Sequence, residues 1–454
     1  MNALKGETPM ESTELQVLTA TKLARISWLS QRDRGRKFDC LMHHIDRETL
    51  TACFHELSGQ KAVGLDKVTK DTYGADLEEN ISHLLEKMKR MAYRPGPMRR
   101  VLIPKEGKLG ATRPLDIGNF EDKMVQKAMA RVLEAVYEPV FYDCSFGFRP
   151  GRGCHDAIRR VQAYLSNAPV GVVIDIDLEN FFGSIKPEIL KAILREKIGD
   201  ERLIRYIMRG LKAGVLSEGE LVVNEEGVPQ GSPISPILAN IVAHHVIDEW
   251  FEKTVKAHCT QEVALFRYCD DMVISCASPK DGARIRKALA LRLAKFGLKL
   301  NEDKTHSVNF SRYGAKLGYR QDSFDFLGLT FYLGKTRSST YKPKVKTSRK
   351  RFRSKLAKIK VWAKAVRSQM PLVDLWRIFQ SKLRGHIAYY AISDNLPTVE
   401  KFVHEARKIV WRWLNRRGGK RRLTWAKFEL LQQRFPLPQV SLKHNLYAKS
   451  QPAQ

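Results

Sequence analysis

Apolar residues in this 454-residue chain recur with two different periods, and the order of those periods outlines a fold. Val170 to Ile174 is a short β-branched run ending in acids, the composition of a buried strand. Pro233 to Ala257 carries a long helical pattern. Ala264 to Tyr268 and Met272 to Cys276 are two apolar runs separated only by Cys269, Asp270 and Asp271, which predicts a hairpin with acids at its tip. A helical stretch, Asp281 to Phe296, precedes a short strand-like run, Leu298 to Leu300. Strand, helix, hairpin, helix, strand is the order of a split βαβ, ferredoxin-like sheet backed by helices. A further apolar stretch, Phe324 to Leu333, reads as strand. Beyond it the period is helical: Leu375, Ile378, Phe379, Leu383 and Ile387 share one helix face, as do Phe402, Val403, Ala406, Ile409, Val410 and Trp413. Such stripes are core. Neither an internal repeat nor a low-complexity tract is evident.

Composition adds size and class. A hydrophobic content of 43% with 28% charged residues is that of a folded globular chain, and the length suits two to four packed units. Charge changes the picture more. The formal net charge is +30, and it is uneven: residues 335–454 hold 30 Lys and Arg against 5 Asp and Glu, a net +25. Such a concentration calls for a polyanionic partner, and the Lys/Arg-rich faces opposite the apolar stripes suit RNA better than mere solvation does. The charge step places a domain boundary near Gly334, with Lys335 to Lys350 as a basic extended link. A membrane is excluded as the partner by the lack of any apolar run of 18 residues and of an amphipathic anchor. Met1 to Gln31 show no secretory core, so a cytoplasmic location is expected. The seven cysteines form no CxxC pair, which suits reduced thiols rather than disulfides or zinc.

Two acidic clusters end predicted strands: Asp175 and Asp177 in VVIDIDLENFFGSI, and Asp270 with Asp271 in FRYCDDMVIS. Side chains alternate along a strand, so Asp175 and Asp177 share a face, and a tight turn can aim Asp270 and Asp271 at the same spot. Phosphoryl transfer to a 3′ end needs two Mg²⁺ about 3.5–4 Å apart, and carboxylates must hold them. An Asp pair in a turn is also ordinary turn chemistry. Between the clusters lies GVPQGSPISPILAN (Gly227 to Asn240). Its glycines and prolines beside a helix start suit either a backbone approaching a template strand or simply a capped helix.

Nine blocks stand in one order: GLDKVT (Gly64 to Thr69), RRVLIPK (Arg99 to Lys105), TRPLDIGNFEDKMVQKA (Thr112 to Ala128), SFGFRPGRGCHDAI (Ser145 to Ile158), DIDLENFF, GVPQGSPISPILAN, YCDD, GLKLNEDKT (Gly297 to Thr305) and DFLGL (Asp325 to Leu329). In these, over roughly residues 40 to 445, the chain resembles the group II intron reverse transcriptases with their maturase function. LRGHIAYY (Leu383 to Tyr390) is similar to part of the family's thumb, or domain X. The resemblance implies an α+β right-hand polymerase with fingers, a ferredoxin-like palm and an α-helical thumb. It divides the chain into an N-terminal extension (1–40), fingers (41–169), palm with remaining fingers elements (170–334), basic helical thumb (335–415) and a basic tail (416–454). Within that tail, Arg416 to Arg422 suit DNA and RNA equally.

The same resemblance makes Asp177, Asp270 and Asp271 the metal-binding triad, with the Leu178 carbonyl as an extra ligand and Asp175 outside the triad. The expected cofactor is two Mg²⁺, with Mn²⁺ as a substitute. Phe182, five residues after Asp177, matches the aromatic that blocks a ribose 2′-OH, whereas Phe181 suits the core. Lys105 and Arg113 match residues that hold the incoming triphosphate. Gln230 is implied along the nucleotide and the nascent base pair, and Lys304 near the triphosphate. Arg149 and Arg152 are implied either to contact template or to stabilise the fingers, and Gly231, Ser232 and Pro233 to line the template and primer. The implied partners are an RNA template or intron RNA, a DNA primer and target DNA, and deoxynucleoside triphosphates; the oligomeric state is left open. YCDD departs from the family's usual small residue before the acids, and DIGNF from its usual GIPT-like stretch. No paired Cys/His ligands of an HNH nuclease follow Trp425 to Tyr447, so no endonuclease is expected. Three readings follow: an intron-encoded enzyme that assists splicing and copies RNA during retrohoming, a related polymerase recruited to host defence or another cellular task, and an RNA-binding splicing cofactor whose polymerase has lapsed.

Overall fold

The computed structural model describes residues 12–104, 110, 112–217, 219–222, 227–416 and 423–448, in a mixed α/β architecture with three sheets. The first sheet joins β1 (Met98–Pro104), β2 (Thr112–Ile117), β4 (Val215–Ser217) and β5 (Glu220–Val222) in the order β2-β1-β4-β5. The second joins β3 (Val172–Asp177), β6 (Val263–Tyr268), β7 (Asp271–Cys276) and β8 (His306–Asn309) in the order β6-β7-β3-β8, with every neighbouring pair antiparallel. This is the strand order of a split βαβ unit: the hairpin β6–β7 inserts beside β3, and β8 closes the other flank. The third sheet, β11-β10-β9, is formed by β9 (Phe324–Phe326), β10 (Leu329–Lys335) and β11 (Tyr341–Thr347).

Alternation in the second sheet sorts side chains between two cores. Val172, Ile174 and Ile176 of β3, with Met272, Ile274 and Cys276 of β7, point into a large core built around the helix Phe120–Tyr137. Val173 and Val273 point the other way, into a second core with Phe324, Phe331, Tyr390 and Val399. Asp175, Asp177 and Asp271 fall on that second face by parity. A third core holds the helices Arg349–Val366, Leu372–Tyr390, Leu396–Leu414 and Trp425–Arg434 together. Among the described residues no helix is long and apolar enough to cross a membrane.

Two expectations are corrected. Leu298 to Leu300 makes only an isolated bridge, Leu178 to Leu300, and the closing strand is His306–Asn309. The basic stretch after Gly334 is not a link: Leu329–Lys335 and Tyr341–Thr347 pair along their whole length, so the position where the charge changes lies inside one hairpin.

The helical part carries a pH-sensitive element. His386 is buried, stacked on Phe402 at 3.6 Å between centroids and on Tyr390 at 4.7 Å, and neither ring nitrogen has a hydrogen-bond partner among the described residues. Burial, helped by the charge of Lys355, pushes its pKa down to about 3. The unfolded chain, near 6.5, therefore binds the proton first, and stability falls as pH drops from about 6.5 toward 3, by about 1.4 kcal/mol per unit at most. Replacing His386 with Phe is expected to flatten the decline of the thermal midpoint between pH 6.5 and 4.5, measured by circular dichroism; an unchanged slope would count against this account.

Candidate active site

The acids converge because of strand register. Asp177, the last residue of β3, lies directly opposite Asp271, the first of β7, and Asp175 lies opposite Val273 on the same face. The β6–β7 turn is closed by Cys269, whose φ of 61° is a left-handed backbone seldom adopted by a non-glycine residue, and Asp270 stands exposed at its tip. Burial first, then the charges of Asp270 and Asp177, push Asp271 up to about 7, with Arg351 offsetting part of the rise. Asp175 is also pushed up to about 7, by burial and then by Asp271, Asp325 and Asp177. The surrounding protein and Asp177 raise Asp270 too. Lys304 makes direct contact with this cluster of negative charge, its Nζ 2.8 Å from Asp177 Oδ1.

Leu178 follows the strand end. The Asp177 carbonyl accepts from Asn301 N and the Glu179 N–H donates to the Lys299 carbonyl, so by alternation the Leu178 carbonyl faces the Asp270–Asp271 side. Among the described residues no three acid, His or Cys side chains stand in a preformed metal-ligating group; Asp177 is turned to Lys304 instead.

The GVPQGSP loop is stitched in on two sides. Gly227 N donates to the Ile185 carbonyl and Val228 N to that of Phe182, while the Gln230 carbonyl accepts from Asp116 N at 2.7 Å on β2. At Gly231, with φ of 116°, a Cβ would stand 2.7 Å from the Asp116 carbonyl oxygen, so only glycine lets the loop lie this close to β2. Gln230 is half-buried, Gly231 exposed and Pro233 half-buried. Phe182 is half-buried, edge-on to Phe181 at 5.8 Å, and Phe181 is fully in the core. Arg113 is exposed on β2 opposite Ile103; Lys105 lies outside the described residues, as do 417–422 of the basic tail cluster. In the DIGNF segment, Asn119 Oδ1 accepts from Leu65 N at 3.0 Å and so ties the GLDKVT block to this region.

Two sequence-level candidates prove to be interior supports. Arg149 is buried with all five N–H groups taken by Glu138 and by the carbonyls of Tyr142, Ser145 and Glu138, so none is left for a template. Ser232 is buried and its hydroxyl donates to Gln126 Oε1. Arg152 is paired with Asp143 at 2.7 Å, and 28% of its side chain stays exposed.

Other residues here have no role in the sequence reading. A recess of about 200 Å³ beside Asp271 is lined by Asp325, Leu327, Gly328 and Arg351. It lies next to a cleft of about 1970 Å³ that runs between the helix Arg349–Val366 and the β9–β10–β11 sheet, with Lys346, Arg349, Arg353, Lys358 and Lys401 on its walls and Gly110 at its rim. The DFLGL block was visible as sequence; the helix Arg349–Val366 and its meeting with that block at Asp271 were not.

A family model described as reverse transcriptase (RNA-dependent DNA polymerase) matches residues 103–331. The chain belongs to this reverse transcriptase family. It is 33% identical over 229 residues to the group II intron-encoded protein LtrA of Lactococcus lactis, covering 50% of this chain and 38% of that protein. Protein YkfC of Escherichia coli is 30% identical over 300 residues, covering 60% and 76%. An uncharacterized 91 kDa protein in the cob intron of Schizosaccharomyces pombe is 36% identical over 208 residues, covering 46% and 25%. The chain thus spans about a quarter and two-fifths of the length of the fission-yeast and Lactococcus relatives.

Proposed function

We propose that the chain is an RNA-directed DNA polymerase of the group II intron type, which binds intron RNA, assists its splicing and copies RNA into DNA. The observation that carries this reading is the direct opposition of Asp177 and Asp271 across β3 and β7, with Asp270 beside them at the turn. In this reading the split βαβ sheet is the palm, the β1–β2 hairpin and the elements before it are fingers, and the basic helices after β11 are the thumb, with the cleft holding the template–primer duplex.

The carboxylates fit a hard divalent cation. Their donor set is all oxygen, their charges raise one another's pKa, and the Lys304 ammonium rests on Asp177 as a stand-in charge. Asp177, Asp270, Asp271 and the Leu178 carbonyl would hold two Mg²⁺, which supply activation of the attacking 3′-hydroxyl and neutralisation of the departing pyrophosphate. The protein's own groups do the rest. Arg113 and Lys304 receive triphosphate charge, Gln230 and Gly231 pack beside the nascent pair, and Phe182 closes the space a ribose 2′-OH would need. RNA held along the cleft by Lys346, Arg353 and Lys358 would bind with strong salt dependence.

Replacing Lys304 with Met is expected to raise the KM for dTTP about tenfold, the loss of one charge-assisted contact. The thermal midpoint should hold, because an ion pair this exposed adds little stability. An unchanged KM would remove Lys304 from the triphosphate.

The test of the function is primer extension with purified protein, Mg²⁺, poly(rA), oligo(dT) and dTTP, beside an Asp270→Ala, Asp271→Ala control. Extension by the wild type alone supports the reading. Failure of both, with RNA binding intact, turns the assignment to a splicing cofactor without polymerase activity.

A further inference from the structure

Three of the sequence blocks, SFGF, SPILAN and YCDD, meet inside the protein on one side chain. Arg267, three residues before Asp270 in FRYCDD, is fully buried. Each of its five N–H groups has a partner. Nε and Nη2 bind the two oxygens of Asp248, itself fully buried; Nη2 also reaches Ser145 Oγ at 2.8 Å; Nη1 reaches Asn240 Oδ1 at 3.0 Å and the Cys269 carbonyl at 3.1 Å. The last contact matters most, because that carbonyl belongs to the peptide unit carrying the Asp270 nitrogen.

The surroundings leave that peptide little freedom. Arg267 N donates to the Cys144 carbonyl and Phe146 N to the Arg267 carbonyl, so the SFGF segment runs alongside the end of β6. Asn240 Nδ2 holds the Gly147 carbonyl at 2.7 Å. A Cβ on Gly147 would come within 2.6 Å of Cys269 N, so Gly147 is the residue that lets this segment lie against the turn. Asn240 and Asp248 are eight residues apart on one helical run, and on a straight α-helix they would differ by about 80°. The wider π turns over His244–Asp248 take up part of that offset and let both side chains face Arg267. The Asp248 carboxylate alone would satisfy two of the guanidinium's donors. The other three tie the acidic turn to the SFGF and SPILAN blocks.

We propose that Arg267 is a positioning residue for the metal-binding turn: through the Cys269 carbonyl it fixes where Asp270 and Asp271 stand relative to Asp177. This rests on the reading of those acids as the polymerase's metal ligands. Arg267 touches no substrate. Its effect is on geometry, and a displacement on the order of 1 Å at reacting groups is enough to cost about 10²-fold in rate.

Two variants separate positioning from folding. Arg267→Lys keeps a positive charge against Asp248, but a compact ammonium cannot span Asp248 and the Cys269 carbonyl together. The double variant Arg267→Met, Asp248→Leu removes the buried pair without leaving a lone charge. For each, the folded fraction, RNA affinity, steady-state kinetics on poly(rA)·oligo(dT), and Mn²⁺ bound without nucleotide (by electron paramagnetic resonance) would be measured. The expected result is a folded protein with RNA affinity and dTTP KM near wild type, kcat lower by about 10²-fold, and Mn²⁺ binding several-fold weaker. Folded variants with wild-type kcat and Mn²⁺ binding would overturn the proposal, and so would loss of the fold in both, which would make the network purely structural. A wild type that binds RNA and fails to extend any primer sinks the polymerase reading instead; Mn²⁺ binding then decides on Arg267 alone.

Discussion

Asp271→Asn should all but abolish dTTP incorporation, by about 10³-fold or more, while making the metal-free protein more stable. The two effects have one cause. Asp271 is held beside Asp270 and Asp177, and burial plus those charges push its pKa up to about 7. A carboxyl raised above its unfolded value near 3.9 costs stability at every pH above that value, and the cost grows until the folded pKa is passed. At pH 8 the neutral amide is free of that cost, so the thermal midpoint should rise by a few degrees. Activity moves the other way, because preorganised charge at a reacting centre is worth at least about 10²–10³-fold per group. Mg²⁺ should raise the midpoint of the wild type and leave that of the variant nearly unchanged. Differential scanning fluorimetry with and without Mg²⁺, beside primer extension, reads all three. A variant that is inactive but destabilised to the same extent with and without Mg²⁺ would mark Asp271 as a structural residue.

Much of this site could be read from the chain because period-2 alternation survives in it. VVIDID and DDMVIS place apolar residues toward the large core at every second position, so parity alone assigns the acids to one face. The same rule failed where lysine masked it. YKPKVKT looks like a solvated charge run, yet Pro343, Val345 and Thr347 point inward while Lys342, Lys344 and Lys346 point outward, and the segment pairs fully with β10. His306–Asn309 was missed for the opposite reason. It buries little and is held to β3 by backbone pairing, which leaves no hydrophobic signal, whereas apolar Leu298 to Leu300 makes a single bridge. Arg267 carried a signal of its own, a cation between the buried Phe266 and Cys269, whereas Arg149 stands between the exposed Phe148 and Pro150 and carried none. Only the partners that absorb their charge, Glu138 and Asp248, tell a support from a nucleic-acid contact.

Phe182 is the place where side-chain size alone should decide the product. Its carbonyl accepts from Val228 N at 2.7 Å, so the backbone is pinned to the loop that carries Gln230, and its ring lies edge-on to the buried Phe181. The ring packs against the large core on that side and leaves its other side half exposed. Phe182→Ala removes that bulk and leaves the pinned backbone in place. Discrimination between dUTP and UTP, which differ only at the 2′ position, taken as the ratio of kcat/KM on poly(rA)·oligo(dT), should fall roughly 10²-fold, the scale on which pocket shape separates substrates differing by one small group. Most of the change should come from faster use of UTP, since a deoxynucleotide presents no 2′-OH to the ring. Stability should drop by about 1–2 kcal/mol for a half-buried aromatic, and the fold should persist because Phe181 keeps the core contact. If the ratio stays at its wild-type value in a folded variant, sugar selection lies elsewhere in the cleft and Phe182 reverts to packing.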